Sequence, residues 1–221
     1  MAKNNSEISS YYATARKEVA PFIPHPKARI LEIGCGAGAT IGYLKDQGLC
    51  SWAAGVEIMP KPAAQAKKVC DQLWLENIEQ FTLPIKPGTL DVILCLDVLE
   101  HLVDPWAVVK KLTPLLKKDG VLIASIPNIR HHSVLKEIIL KGDFKYDDYG
   151  ILDRTHLRFF TRKTILQLME CSGLKVDRVQ NLHYLKLRHW WKPKRAVKML
   201  LHKFFPDFFA IQYLVRARKV G

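Results

Sequence analysis

Residues 30–39 read ILEIGCGAGA. Three apolar residues and one acid run directly into Gly34, Gly36 and Gly38, and a helix-compatible stretch follows from Ala39. A buried strand that breaks into glycines before a helix needs a turn in which no Cβ stands between the backbone and whatever lies above it. In an open parallel sheet that turn sits beyond the carboxyl end of the strand, where ligands bind at the reversal of strand order. The alternative, a tight strand–helix turn with no ligand, fits the strand-before, helix-after context less well.

The rest of the chain is consistent with such a sheet. Residues 6–20 predict a helix with Ile8, Tyr11, Tyr12, Ala15 and Val19 on one side, stopped by Pro21, Pro24 and Pro26. Strands are expected at 28–33, 51–58, 72–77 and 89–96, the last apolar throughout its centre, as a strand buried on both faces should be. Helices are expected at 39–47, closed by Gly48, and from Pro60 to Val69. Asp104-Pro105 supplies an N-cap and a first helical residue for a helix to about Lys118, with a kink at Pro114. Asp119-Gly120 should then turn into a fifth strand, VLIASIP. Helices near 132–141 and 162–171 follow, the second capped by Thr161, and strands near 174–183 and 209–218 finish the chain. The expectation is one α/β domain over 1–221: a Rossmann-like, doubly wound, mostly parallel sheet of seven strands, the last antiparallel.

Composition narrows the class. Of 221 residues, 48% are apolar and 25% charged, which suits a globular domain with a substantial core. The first twelve residues, MAKNNSEISSYY, have no apolar run of the signal-peptide kind, and no stretch approaches the roughly 18 apolar residues of a membrane span. A cytoplasmic protein is expected. The five cysteines are scattered with no C-x-x-C pair; Cys35, Cys95 and Cys171 sit in apolar segments and read as buried free thiols, so neither a disulfide framework nor a metal centre is expected. The net charge of +13 is uneven: residues 181–221 hold ten Lys/Arg against Asp207 alone.

Two ligand classes fit the glycine turn. GCGAGA also satisfies G-x-G-x-x-A, the dinucleotide pattern, so the glycines by themselves do not decide. Glu32 ends the first strand, and a carboxylate there suits an ammonium or sulfonium better than a pyrophosphate, which it would repel. Glu57 follows Gly38 by 19 residues, at the end of the second strand, where an acid can accept from ribose hydroxyls. LENIEQF follows the third strand at 75–81 and LDVLEHL the fourth at 96–102.

Together ILEIGCGAG, VEI, ENIEQF and CLDVLEHL resemble the class I S-adenosylmethionine-dependent methyltransferases over residues from about 10 to 185. The resemblance implies that Gly34, Cys35, Gly36 and Gly38 form the turn around the methionine and ribose of S-adenosylmethionine, with S-adenosylhomocysteine as product. It implies that Glu32 favours the positive amino and sulfonium groups, that Glu57 takes the ribose hydroxyls, and that Ile58, Asn77 and Ile78 flank the adenine. Leu96 would offer its backbone to the methionine amino group. Tyr12 and Arg16 would belong to a cofactor-covering helix, Arg16 as a bidentate partner of the methionine carboxylate; packing of an aromatic stripe beside a solvated Arg is the competing reading.

On the acceptor side, Asp97 and His101 follow the fourth strand, and a hydroxyl acceptor calls for a base. The segment 128–161 packs Asp153, Arg154, Thr155, His156 and Arg158 into six positions between aromatic residues, more polar groups than a core segment would carry. GILDRTHLRFFT within it resembles a subgroup found beside bacterial glycosyltransferases in cell-surface polysaccharide pathways, which implies a sugar or lipid-linked sugar as acceptor. His156 is the expected base, with Asp97 shaping the methyl-transfer cleft and Asp153, Arg154 and Arg158 as substrate contacts. A cluster that only fixes a lid is the alternative for Asp153 and Arg158. Residues 187–206 form a basic amphipathic insertion with Trp190-Trp191 beside lysines. It suggests peripheral contact with an anionic membrane, a substrate cap or a homodimer contact ahead of RNA. An RNA methyltransferase, a nicotinamide oxidoreductase and a non-catalytic accessory subunit are the competing functions.

Overall fold

The computed structural model describes residues 14–182 and 205–220. Seven strands form one sheet: β1 (Ala28–Ile33), β2 (Cys50–Glu57), β3 (Gln72–Leu75), β4 (Leu90–Leu96), β5 (Leu116–Pro127), β6 (Leu174–Leu182) and β7 (Gln212–Lys219). Their order is β3-β2-β1-β4-β5-β7-β6, with β7 antiparallel to both its neighbours and the other pairings parallel. Among the described residues the α-helices are α1 (Ala39–Asp46), α2 (Pro60–Ala66), α3 (Pro105–Leu112), α4 (His132–Lys141) and α5 (Arg162–Glu170).

Alternation along the strands builds two cores. Leu31, Ile33, Ile93, Cys95 and Leu122 face α3 and α5, where Val108, Val109, Leu112, Ile165 and Leu168 meet them. Ile30, Val92, Leu94, Val121 and Ile123 face the opposite layer, with Ile41 and Leu44 of α1 and Phe22. Every residue of β4 is buried, as its unbroken apolar run requires. Strand order reverses between β1 and β4, so the crevice above their carboxyl ends is the place for a ligand.

Several elements differ from expectation for local reasons. Pro114 does not kink a long helix; it ends α3, and Thr113–Leu115 tighten into a 3₁₀ turn. β5 accordingly starts at Leu116, and Asp119-Gly120 form an irregularity within the strand instead of a turn before it, Asp119 taking φ 63°. Of the N-terminal helix expected over 6–20, residues 17–20 belong to a 3₁₀ helix, Lys17–Phe22, that contains Pro21. Residues 6–13 lie outside the described residues. Cys35 and Cys95 are buried thiols, but Cys171 is exposed, because it caps the C-terminus of α5 and bonds back to the Gln167 carbonyl. Asp104 and Thr161 cap α3 and α5 as expected, Thr161 in a reciprocal capping box with Thr164. The insertion 187–206 lies outside the described residues except for its last two positions.

Candidate active site

Two cavities open above the β1–β4 reversal and share Gly34 and Asp97 as walls. The first, about 280 Å³, lies over the glycine turn and is lined by Glu32, Gly36, Thr40, Leu96, Arg16 and Gln212 among others. The second, about 460 Å³ and more apolar, runs between the ends of β2, β3 and β4, past Glu57, Ile58, Asn77, Ile78, His101 and Thr155.

The turn is shaped by close approach. Gly34 has φ 65°, and a Cβ there would stand 2.6 Å from Val98 Cγ2. Gly36 donates its N–H to Glu57 Oε2 at 2.8 Å, which ties the turn to the end of β2. Glu57 Oε1 accepts from the N–H groups of Ile58 and Met59. Three backbone donors therefore fix this buried carboxylate, and the free lone-pair capacity remains on Oε2. Gly38 lines neither cavity; a Cβ there would meet Ala66 Cα at 3.2 Å, so its bare backbone serves the packing of α1 on α2. Cys35 borders the first cavity, while its thiol packs against Gly55.

Glu32 is 3% exposed, and its Oε2 has no hydrogen-bond partner. Burial first, then the neighbouring Cys70, holds its carboxyl well above the usual carboxylate range, against smaller opposing effects of Arg16 and Thr40. A buried acid with one unpartnered oxygen beside a cavity suits a ligand that brings positive charge. The amino and sulfonium groups of S-adenosylmethionine match that need.

Asp97 adopts φ 56° at the end of β4, an αL position that Asp tolerates better than most residues. Its carboxylate accepts from Arg16 Nη1, Gln212 Nε2 and, at 3.2 Å, Ser125 Oγ. Arg16 also bonds Glu18 at 2.5 Å and Ser125 at 3.0 Å. The guanidinium expected to be free for a ligand carboxylate is thus engaged by protein acceptors, although it still borders the first cavity. Leu96, Asn77 and Ile78 line the cleft as expected, and Ile58, 61% exposed, stands at its rim. Tyr12 lies outside the described residues.

The segment 128–161, expected to carry substrate contacts or a lid, is pinned at both ends by the bridge between Asn128 and Phe160. Its polar residues mostly serve the lid itself. Asp153 accepts from the Thr155 N–H and hydroxyl, Arg154 pairs with Asp148 at 2.6 Å, and Arg158 bonds the Val103 carbonyl. None of the three borders the cleft, and neither does His156, which is buried behind His101. The histidine on the cleft wall is His101, beside Thr155. His156 is held below its ordinary pKa, chiefly by burial. Thr40, Ser125 and Gln212 were missed by sequence reasoning; Thr40, at the start of the helix after the glycine turn, was the one with a positional signal.

A family model described as a methyltransferase domain matches residues 5–179. A ubiquinone biosynthesis O-methyltransferase of Xanthomonas campestris pv. campestris is 25% identical over 185 residues, 77% of this chain and 75% of the relative. Among solved structures, an S-adenosylmethionine-dependent methyltransferase of Archaeoglobus fulgidus superposes with a TM-score of 0.67 at 18% identity, covering 98% of this chain and 95% of that one. The magnesium protoporphyrin IX methyltransferase of Synechocystis, solved with bound S-adenosylhomocysteine, superposes with a TM-score of 0.61 at 15% identity, covering 97% and 82%.

Proposed function

The chain belongs to the methyltransferase-domain family, and from that premise we propose that it moves the methyl group of S-adenosylmethionine to a hydroxyl of a lipid-linked small molecule, a lipid-linked sugar being the first candidate. The observation that carries the cofactor half is the buried Glu32 carboxyl at the end of β1, whose Oε2 has no hydrogen-bond partner. The methionine end of the cofactor would occupy the smaller cavity, with Glu32 beside its amino group and Leu96 offering backbone. The adenosine would follow the larger cavity, its ribose at Glu57 and its adenine between Ile58, Asn77 and Ile78. The sulfonium would then stand at the junction formed by Gly34 and Asp97.

The acceptor would enter past Thr155 and His101. S-adenosylmethionine would supply an activated methyl group for in-line transfer to the acceptor oxygen, and the hydroxyl proton would pass to the His101–His156 imidazole pair. The cofactor is already activated, so positioning and exclusion of water supply much of the rate. Asp97, held by Arg16, Ser125 and Gln212, would fix the wall of the cleft rather than take the proton.

Two features support an acceptor with an apolar part. Val103 and Leu157, near His101 and Thr155 in the chain, are exposed, as are Tyr149 and, on α4, Ile139 and Leu140. Among the described residues no helix is long and apolar enough to cross a membrane, so contact with a lipid surface would be peripheral. The wording of the lid favours the sugar class; the relatives named for ubiquinone biosynthesis favour a ring hydroxyl as a second reading. The insertion 187–206 would assist at an anionic surface. His101→Ala should lower turnover by about 10²–10⁴-fold with S-adenosylhomocysteine affinity nearly unchanged. Wild-type turnover in that variant would remove the imidazole pair from the reaction.

A further inference from the structure

Glu100 is 1% exposed, and neither carboxylate oxygen has a hydrogen-bond partner. The same residue's carbonyl is well used, accepting from the N–H groups of Leu157 and Arg158 and so clamping the lid onto the turn after β4. The carboxylate and a ring nitrogen of both His101 and His156 lie within 4.8 Å of one another. Yet no hydrogen bond or ion pair joins the acid to either ring. What the three groups could hold is set by the protons they carry.

The tautomers say what kind of atom. His101 Nδ1 faces the Thr155 carbonyl at 3.2 Å and His156 Nδ1 faces the Ile151 carbonyl at 3.0 Å. A carbonyl only accepts, and the Thr155 hydroxyl near His101 Nδ1 gives its proton to Asp153, so both Nδ1 atoms donate, and in the neutral ring Nε2 is then the atom with the lone pair. A histidine whose second N–H is held by a backbone carbonyl is oriented as metal-binding histidines are. Two lone-pair imidazoles and a two-oxygen carboxylate offer only acceptors to the space between them. One water has two protons and leaves part of that set unsatisfied.

We infer that Glu100, His101 and His156 form a site for one divalent transition cation of the zinc type. Two imidazoles with one carboxylate favour such an ion over magnesium or calcium. Three protein ligands leave a further coordination position, and because His101 borders the cleft, that position faces the acceptor side. With the ion bound, His101 and His156 hold metal instead of taking a proton. The ion would supply Lewis-acid chemistry that makes an acceptor hydroxyl beside His101 easier to deprotonate. This consequence rests on the acceptor entering past Thr155; the site itself does not.

The test uses the full-length protein stripped with chelator and titrated with Co²⁺ alone. One equivalent should produce a visible d–d band and broaden the imidazole proton signals of His101 and His156 while leaving those of His25 sharp. Glu100→Gln and His156→Asn, each near in size to the original, should bind Co²⁺ more than about 100-fold more weakly. S-adenosylhomocysteine affinity reports whether each variant is folded, and His25→Ala should bind Co²⁺ normally. Absence of a band in the wild type, or broadening confined to other histidines, would overturn the site whether or not the variants fold. In that event retained S-adenosylhomocysteine binding would leave the proposed methyl transfer standing.

Discussion

Glu32→Gln separates the cost of a buried acid from its use. In the free protein the Glu32 carboxyl is 3% exposed, has one oxygen without a partner, and is pushed well above the usual range by burial. The neutral form is favoured there. A bound ammonium and sulfonium would favour the anion, so cofactor binding should release a proton from Glu32, and affinity should rise with pH until Glu32 is ionised in the empty site. Glutamine keeps the shape and removes the charge. A lost charge-assisted hydrogen bond costs about 1.5–3 kcal/mol, which is roughly a 10- to 150-fold weaker Kd. Stability of the cofactor-free protein should hold or rise, because the unfavourable buried carboxylate is gone. Isothermal titration with S-adenosylhomocysteine, in buffers of different ionisation enthalpy, measures both affinity and proton release. A variant with wild-type affinity and the same proton release would refute the role given to Glu32.

Three further outcomes follow from other contacts. Gly34→Ala combines φ 65° with a Cβ 2.6 Å from Val98, so it should cost about 1–3 kcal/mol by urea unfolding and weaken cofactor binding; Gly48→Ala, with open space around it, should cost less. His156 is buried with its pKa depressed below 6.5, so it contributes stability that is complete above pH 6.5 and is lost as pH falls towards its folded pKa; His156→Gln should flatten the thermal midpoint across that window, and an unchanged slope would count against its burial as a neutral ring. Deletion of 187–206 should spare S-adenosylhomocysteine binding and reduce co-sedimentation with anionic vesicles, by about 1 kcal/mol for each basic residue near the surface and less at high salt; intact protein that ignores such vesicles at low salt would end the membrane reading.

Much of the fold is legible because burial imposes local patterns. β4 is an apolar run with no break, Gly34 follows a strand, and Thr161 precedes a periodic helix. Pro114 and Asp119 misled because the same residues that kink or turn a chain can also end a helix and bulge a strand. The cleft wall around the glycine turn is largely legible as well, since Glu32, Gly34, Glu57 and Leu96 sit at strand ends that the pattern locates. The network around Asp97 is not: Arg16 reaches Ser125 and Gln212 across 109 and 196 positions, and no periodicity encodes such a meeting. For the same reason the polar lid residues looked like substrate contacts. Only the fold shows that Asp153, Arg154 and Arg158 are spent inside the lid and on its anchor, and that Glu100 and His101 meet His156 from the far end of it.

The most direct test of the account is transfer of label from methyl-tritiated S-adenosylmethionine by the purified protein, supplied with lipid, soluble and RNA fractions of a bacterial extract. The account predicts label in a solvent-extractable small molecule, bound as an ether that resists mild alkali, and loss of that label in His101→Ala. Label appearing only in RNA or in the aqueous soluble fraction would contradict the lipid-linked acceptor, and base-labile label would contradict transfer to a hydroxyl.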